Sequence, residues 1–189
     1  MRYSEDHKAQ THQRIINEAS ARFRRDGIGA TGLQPLMKAL GLTHGGFYAH
    51  FKSKDELVEK SLSQAADDLS AHCEELFSQK EHPLAAFIDN YLSNGHRSAP
   101  EQGCPLPTMS SELGQRGQPS PTTDKMIHNR LNAIESGLPE GIANAAELST
   151  VMLSTLVGAL VLSRSAHDAE LADRILETTR EWLKEQAKA

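Results

Sequence analysis

The sequence predicts an all-α protein: a small helical head near the N-terminus, one long helix leading out of it, and a second helical part, about nine helices altogether. Three observations carry this. Apolar residues recur at three- and four-residue spacing along the chain, with scarcely any alternating strand pattern. The periodic stretches are punctuated by Gly, Pro and small polar residues at positions that start and stop helices. Only 5% of the 189 residues are aromatic, so Leu, Ile, Val and Ala must build the core, and 24% charged with 38% hydrophobic residues is an ordinary globular composition.

The first helix is expected over residues 8–25. Ile15, Ile16, Ala19 and Phe23 share a face, while Arg22, Arg24 and Arg25 crowd the last turn, where cations complement the helix dipole. Gly27 stops it. Leu33, Leu36, Met37 and Leu40 then line a short helix that must begin near residue 32, because Pro35 is tolerated only in a first turn. Gly41 supplies the left-handed conformation that ends this helix, and Thr43 caps the next, which begins at His44. Two short helices around a glycine turn make a helix-turn-helix.

The second helix of the pair, residues 44–50, is the candidate reader of DNA. Phe47 and Phe51 lie four apart and face inward. Thr43, His44, Gly45 and Gly46 are small or polar and let the backbone approach base edges, while Tyr48 and His50 carry polar tips suited to phosphates. Ser53-Lys54-Asp55-Glu56 is an S-x-x-E capping box opening the long helix, with Lys54 in the first turn, where a phosphate would also meet free helix N–H groups. That helix continues to about residue 78 on an apolar face that includes Leu57, Leu62, Leu69 and Cys73.

Beyond it, Pro83 suits the first position of a helix that buries Leu84, Phe87, Ile88, Tyr91 and Leu92. Residues 94–121 read as loop because of their Gly and Pro content, with a short helix over residues 106–113. Ser120-Pro121 reads as cap and first-turn proline of a helix running through Ile134, and residues 138–141 as a turn. Asn144-x-x-Glu147 gives a box-like start to a helix whose run VMLSTLVGALVL is apolar nearly all round, so it must be buried on more than one side. The last helix, residues 168–188, places Leu171, Ile175, Leu176, Trp182 and Leu183 on one face. Paired with the same two helices of a second subunit it forms a four-helix bundle, with Val151, Leu156, Gly158, Leu160, Leu171, Ile175 and Trp182 as candidate interface; the other arrangement is packing within one chain.

The formal net charge of −5 is unevenly spread. Residues 1–60 hold ten Lys/Arg against seven Asp/Glu, and the remainder holds ten against eighteen. The cationic surplus coincides with the helix-turn-helix, and the acidic remainder is screened beyond about 8 Å. Nine histidines include no pair at the four-residue spacing that aligns two imidazoles on a reading helix, and no nucleophile elbow, phosphate loop or dinucleotide fingerprint occurs. We therefore expect no metal, no cofactor and no enzymatic activity. The polar N-terminus lacks a signal-peptide pattern, and the longest apolar run, residues 151–162, is shorter than the roughly 20 residues of a membrane span, so a cytoplasmic protein without a membrane partner is expected.

The run G-I-G-A-T-G-L-x-x-L-x-x-x-L-G-L-T-x-G-x-F-Y-x-H-F-x-S-K-x-x-L, from Gly27 to Leu57, resembles the DNA-binding signature of TetR-type (tetracycline-repressor-like) transcriptional regulators, densely over residues 8–68. Two positions depart from it: Gly32 stands where the family usually has Ser or Thr, and Pro35 sits early in the first helix of the motif. With Gly32 lacking a hydroxyl, Thr31 becomes the candidate phosphate contact, alongside Tyr48, His50 and Lys54. The resemblance implies a DNA-binding domain over residues 8–68 and a ligand-binding and dimerisation domain over residues 69–189. It further implies a homodimer on a palindromic operator and a small-molecule effector that releases it. Leu84, Phe87, Tyr91, Met109, Met126, Ile127 and Met152 are candidate pocket walls, chosen for size and apolar face, with Cys104 beside them.

Two other readings stand beside the repressor. Gly103-Cys104-Pro105 places a thiol at a helix cap, where its thiolate is favoured, and some regulators of this type carry a Gly-Cys pair there and respond to electrophiles or oxidants. Cys73 reads as core. The second is a helical adaptor whose helix-turn-helix holds a protein instead of a DNA sequence.

Overall fold

The computed structural model describes residues 3–79 and 81–188, and every regular element among them is helical. The order is α1 (Tyr3–Asp26), α2 (Leu33–Ala39), a 3-10 turn (His44–Ala49), α3 (Lys54–Gln79), α4 (Pro83–Tyr91) and α5 (Asn94–Ser98). There follow short turns at Pro100–Gln102 and Leu106–Ser110, then α6 (Ser111–Gln115), α7 (Pro121–Ser136), α8 (Ala145–Ser165) and α9 (Ala169–Gln186). The side chains of Cys73, Leu76 and Phe77, expected on the apolar face of the long helix, lie outside the described residues.

The chain divides into two compact units. The first holds the residues up to Asp67 together with Glu101–Thr122, a segment the sequence assigned to the C-terminal domain; the second holds Asp68–Pro100 and the chain from Thr123. In the first unit Ile15, Ala19 and Phe23 of α1, Leu36 and Met37 of α2, and Leu57 and Leu62 of α3 are fully buried around Ile28 and Phe47. The turn Leu106–Ser110 packs on α1 and buries Met109 in the same unit.

Local chemistry sets most element ends. Gly41 adopts φ +72°, and Leu42 N–H donates to Met37 O at 2.9 Å, closing α2 in a left-handed C-cap. Thr43 Oγ1 accepts from Gly46 N at 3.2 Å, and Ser53 Oγ from Glu56 N at 3.1 Å. The capping box is modified at its other arm, where Glu56 accepts from Lys52 N at 2.7 Å. Gly32 is the extended N-cap of α2, which puts Pro35 at the third helical position. The two departures from the family pattern are physically coupled: a Cβ at position 32 would stand 3.2 Å from Pro35 Cδ, and a capping hydroxyl there would find no N–H on proline.

The second unit centres on α8 and α9, which pack together, with α4 against α9 and α5 against α8. Lys184 reaches Asp89 at 3.2 Å, Arg97 meets Asp173 at 2.8 Å, and Arg164 donates to His96 O at 2.6 Å. Asp168 caps α9, accepting from Glu170 N at 2.9 Å. Asn144 does not cap α8 with its side chain, so the expected box is absent there. The stretch read as loop is largely structured: Ser93 caps α5 by accepting from His96 N at 3.1 Å, and Pro105 O accepts from Met109 N at 2.9 Å. α8 also exceeds the run seen in the sequence, because flanking Ala and small polar residues extend it to 21 residues; by length and composition alone it is apolar enough to cross a membrane.

Gly41 offers a clean stability test, since a Cβ there meets nothing within 4 Å and only the left-handed backbone is at issue. Replacement Gly41→Ala is expected to cost about 1–2 kcal/mol, read from chemical denaturation.

Candidate nucleic-acid interface

The reader is a single six-residue 3-10 stretch, His44–Ala49, held by its aromatic back. Phe47 is fully buried and stacks on Phe51 with ring centroids 5.4 Å apart, and Phe51 stacks in turn on His12 of α1 at 4.4 Å. Burying a side chain of this size contributes roughly 1.5–3 kcal/mol, which outweighs what so short a helix can supply for itself. The opposite side is open. Thr43, His44, Gly45 and Ala49 are exposed, Gly46 is half-exposed, and Tyr48 is 62% exposed. The Tyr48 ring stands edge-on to Phe47 at 5.2 Å and to His44 at 6.0 Å, so its direction is set from both sides. A Cβ on Gly45 would meet nothing within 4 Å, so its own fold leaves the space in front of it empty.

Three of the expected phosphate contacts are placed differently. Thr31 is only 5% exposed, and its hydroxyl donates to Gly27 O at 2.7 Å, closing the loop between α1 and α2. Lys54 donates to Ile28 O at 2.5 Å, and burial, then the nearby Arg116, depress its pKa. His50 is half-buried with Nδ1 enclosed and no hydrogen-bond partner for it among the described residues, 6.0 Å from His12. Its pKa is lowered by burial first, then by His12 and Lys8; that of His12 is lowered by burial, then by Lys60, with Glu56 opposing. In each case a polar group that periodicity puts at the surface is drawn inward by a backbone or ring partner from another element.

The arginines of α1 are engaged as well. Arg14 donates to Leu40 O at 3.3 Å, Arg22 pairs with Glu18 at 2.7 Å, Arg25 with Asp26 at 2.7 Å, and Arg24 donates to Gly103 O at 3.2 Å. Sequence reasoning missed Glu112 of α6 altogether. Its carboxylate accepts from Gly29 N at 2.8 Å and from Arg116 at 3.3 Å, across 83 residues of sequence in the first case. No local pattern marks such a partner.

The candidate pocket walls divide between the units. Cys104 and Met109 are buried in the first unit; Leu84, Phe87, Tyr91, Met126 and Met152 are buried and Ile127 is half-buried in the second. A cleft of about 540 Å³ in the second unit is bordered by Leu84, with Pro83, Leu138, Pro139 and Lys184, and by none of the other candidates. On the candidate interface, Leu156 and Leu160 are fully buried inside their own unit, because they share the inward side of α8 with Met152 and Ala159. Val151, Leu171 and Trp182 are exposed, Ile175 and Gly158 half-exposed, and Leu162, unnamed from sequence, is 57% exposed.

A buried-backed 3-10 reader following a glycine-ended helix, in an all-helical chain, defines a helix-turn-helix transcriptional regulator. Residues 15–60 match the family described as bacterial regulatory proteins, tetR family. The chain is 24% identical over 171 residues to the HTH-type transcriptional regulator YxaF of Bacillus subtilis, covering 85% of this chain and 88% of that one. It is 26% identical over 95 residues to the HTH-type transcriptional repressor KstR2 of Mycolicibacterium smegmatis, 48% of this chain and 46% of that one. The fold superposes on a TetR transcriptional regulator from Chloroflexus aurantiacus with a TM-score of 0.77 at 22% identity, covering 97% of both chains. Residues 15–60 are thus a tetR-family DNA-binding domain, in a chain whose relatives are named HTH-type transcriptional regulators and whose fold is that of TetR regulators.

Two predictions follow from this geometry. Because Tyr48 is exposed, Tyr48→Ala is expected to weaken DNA binding about tenfold while changing stability by less than about 0.5 kcal/mol and leaving the salt dependence unchanged, since no cation is removed; titration at several salt concentrations and thermal melting read both. The paired histidines make the fold acid-sensitive. Their folded pKa values lie below 6.5, so the unfolded chain takes up more protons as the pH falls through that value, and stability declines from there down to the folded pKa values. Heat denaturation between about pH 7.5 and about pH 5.5 should show this decline, flattened in the double variant His12→Gln, His50→Gln.

Proposed function

We propose that the protein is a ligand-responsive repressor that binds a palindromic operator as a homodimer. The observation that carries this is the exposed strip Thr43–His44–Gly45–Gly46, with Tyr48 beside it, on a reader whose aromatic side is buried. A strip with two glycines brings backbone close to base edges, leaving His44 as the side chain that protrudes farthest, while Tyr48 and the exposed Lys52 take phosphates. Residues 8–68 are the DNA-binding part and residues 69–189 the effector-binding and dimerising part.

One such reader is too small for selective binding, and the remedy lies in the second unit. Val151, Thr155, Gly158 and Leu162 recur along one side of α8, and Leu171, Ile175, Thr178 and Trp182 along one side of α9. A Cβ at Gly158 meets nothing within 4 Å, which leaves room for a close partner helix. An apolar surface of this kind on both helices of a packed pair supports a four-helix dimer contact, and accounts for the apolar length of α8 without a membrane. Two readers related by a two-fold axis require half-sites about 34–36 Å apart or a multiple of it. The effector is a small molecule that fits one of two conformations and lowers the affinity of the other for DNA.

A Cys104 trigger is disfavoured by burial, since the thiol is 1% exposed and an oxidant reaches it only after local opening. An adaptor without DNA preference is separated from the repressor by selection of bound genomic fragments: the repressor enriches imperfect palindromes whose binding falls steeply with salt. Recovery of fragments without any shared sequence would overturn the operator reading. Leu162→Glu, at an exposed site, is expected to give monomers in sedimentation and to lose at least about tenfold in operator affinity.

A further inference from the structure

We propose that Glu112 is a positioning residue for operator binding: its carboxylate fixes the loop from which the helix-turn-helix starts. The inference rests on the operator reading above and adds a residue that the motif does not contain.

The loop between α1 and α2 carries three consecutive anchors. At Gly27, φ is +90°, and the place a Cβ would occupy is taken by Glu112 Oε1, only 2.0 Å from it. At Ile28, the carbonyl receives Lys54 Nζ from the first turn of α3. At Gly29, the amide donates to Glu112 Oε2 at 2.8 Å. Thr31 Oγ1 then closes the loop on Gly27 O, and Gly32 begins α2 three residues after the Glu112 contact. An anion from α6 and a cation from α3 thus hold the two ends of the single Ile28–Gly29 peptide group, and Arg116 at 3.3 Å orients the anion.

This arrangement contributes more to position than to stability. The Glu112–Arg116 pair is part-exposed, and such pairs add little to stability. The amide contact, by contrast, fixes the start of α2, and α2 ends in the glycine turn that leads directly to Thr43. The absent Cβ at Gly27 is what lets the carboxylate lie against the backbone. The segment bearing Glu112 is continuous in sequence with the second unit at both ends, at residues 100–101 and 122–123.

The test is a series at one position in the full-length protein, measured on an operator fragment selected with the wild type. Glu112→Gln keeps an acceptor at the same reach, Glu112→Asp keeps the charge but withdraws it by one methylene, and Glu112→Ala removes both. Expected are operator affinities about tenfold weaker for Ala and Asp and within about threefold of wild type for Gln, all with the wild-type salt slope because no phosphate contact is lost. Amide exchange at Gly29 should accelerate in Ala and Asp and stay slow in Gln. Should Ala fail to fold, the Gln and Asp pair decides alone. Equal affinities across the series, unchanged Gly29 exchange, or a Gln variant as weak as Asp would each overturn the inference while the operator reading stands. Wild-type protein that selects no DNA sequence would overturn both.

Discussion

The reader depends on the burial of Phe47 and Phe51. A six-residue 3-10 stretch has poor hydrogen-bond geometry and no length over which helix formation becomes cooperative. Its shape is imposed from behind, by two stacked rings against His12 of α1 and the apolar side of α2. Because the aromatic side supplies the holding energy, the outward side has little structural duty beyond the Thr43 cap. That is why it tolerates two glycines, an exposed tyrosine and a lone histidine.

The same economy governs charge. The first 60 residues have a modest cationic surplus, yet much of it is engaged within the chain: Arg14 caps α2, Arg22 and Arg25 pair with acids of α1, Arg24 holds Gly103 O, and Lys54 holds Ile28 O. Fixing the approach of the helix-turn-helix uses cations that a count of charges would assign to phosphates. The cationic surplus left over is small, in keeping with a chain that is acidic overall. The histidines follow the same pattern, the pKa values of His50 and His12 being lowered chiefly by burial within the head.

In the second unit, α8 has to satisfy two apolar sides. One is covered by α9 and α5 and carries Met152, Leu156 and Leu160; the other runs through Val151 and Leu162 and stays exposed in the single chain. The packed neighbour α9 likewise keeps Leu171 and Trp182 exposed, so the pair carries apolar surface on both helices. The polar faces of the unit are tied separately, by Arg97 to Asp173 and by Lys184 to Asp89.

By itself, the sequence determined the helical class, nearly every element, and the position of the short stretch after the glycine turn. Those features are written in short-range chemistry: apolar spacing, the Gly41 turn, the Thr43 and Ser53 caps, and Pro83 and Pro121 at helix starts. The outward strip Thr43–His44–Gly45–Gly46 with Tyr48 was legible for the same reason, because Phe47 and Phe51 announce the inward side. Only the tertiary structure decided which polar groups remain free. Thr31, Lys54 and His50 are taken up by Gly27 O, Ile28 O and a half-buried contact with His12, Leu156 and Leu160 turn to their own core, and residues Glu101–Thr122 join the first unit. The partners responsible lie on other elements, up to 83 residues away for Glu112 and Gly29, and periodicity carries no information about a contact at that separation.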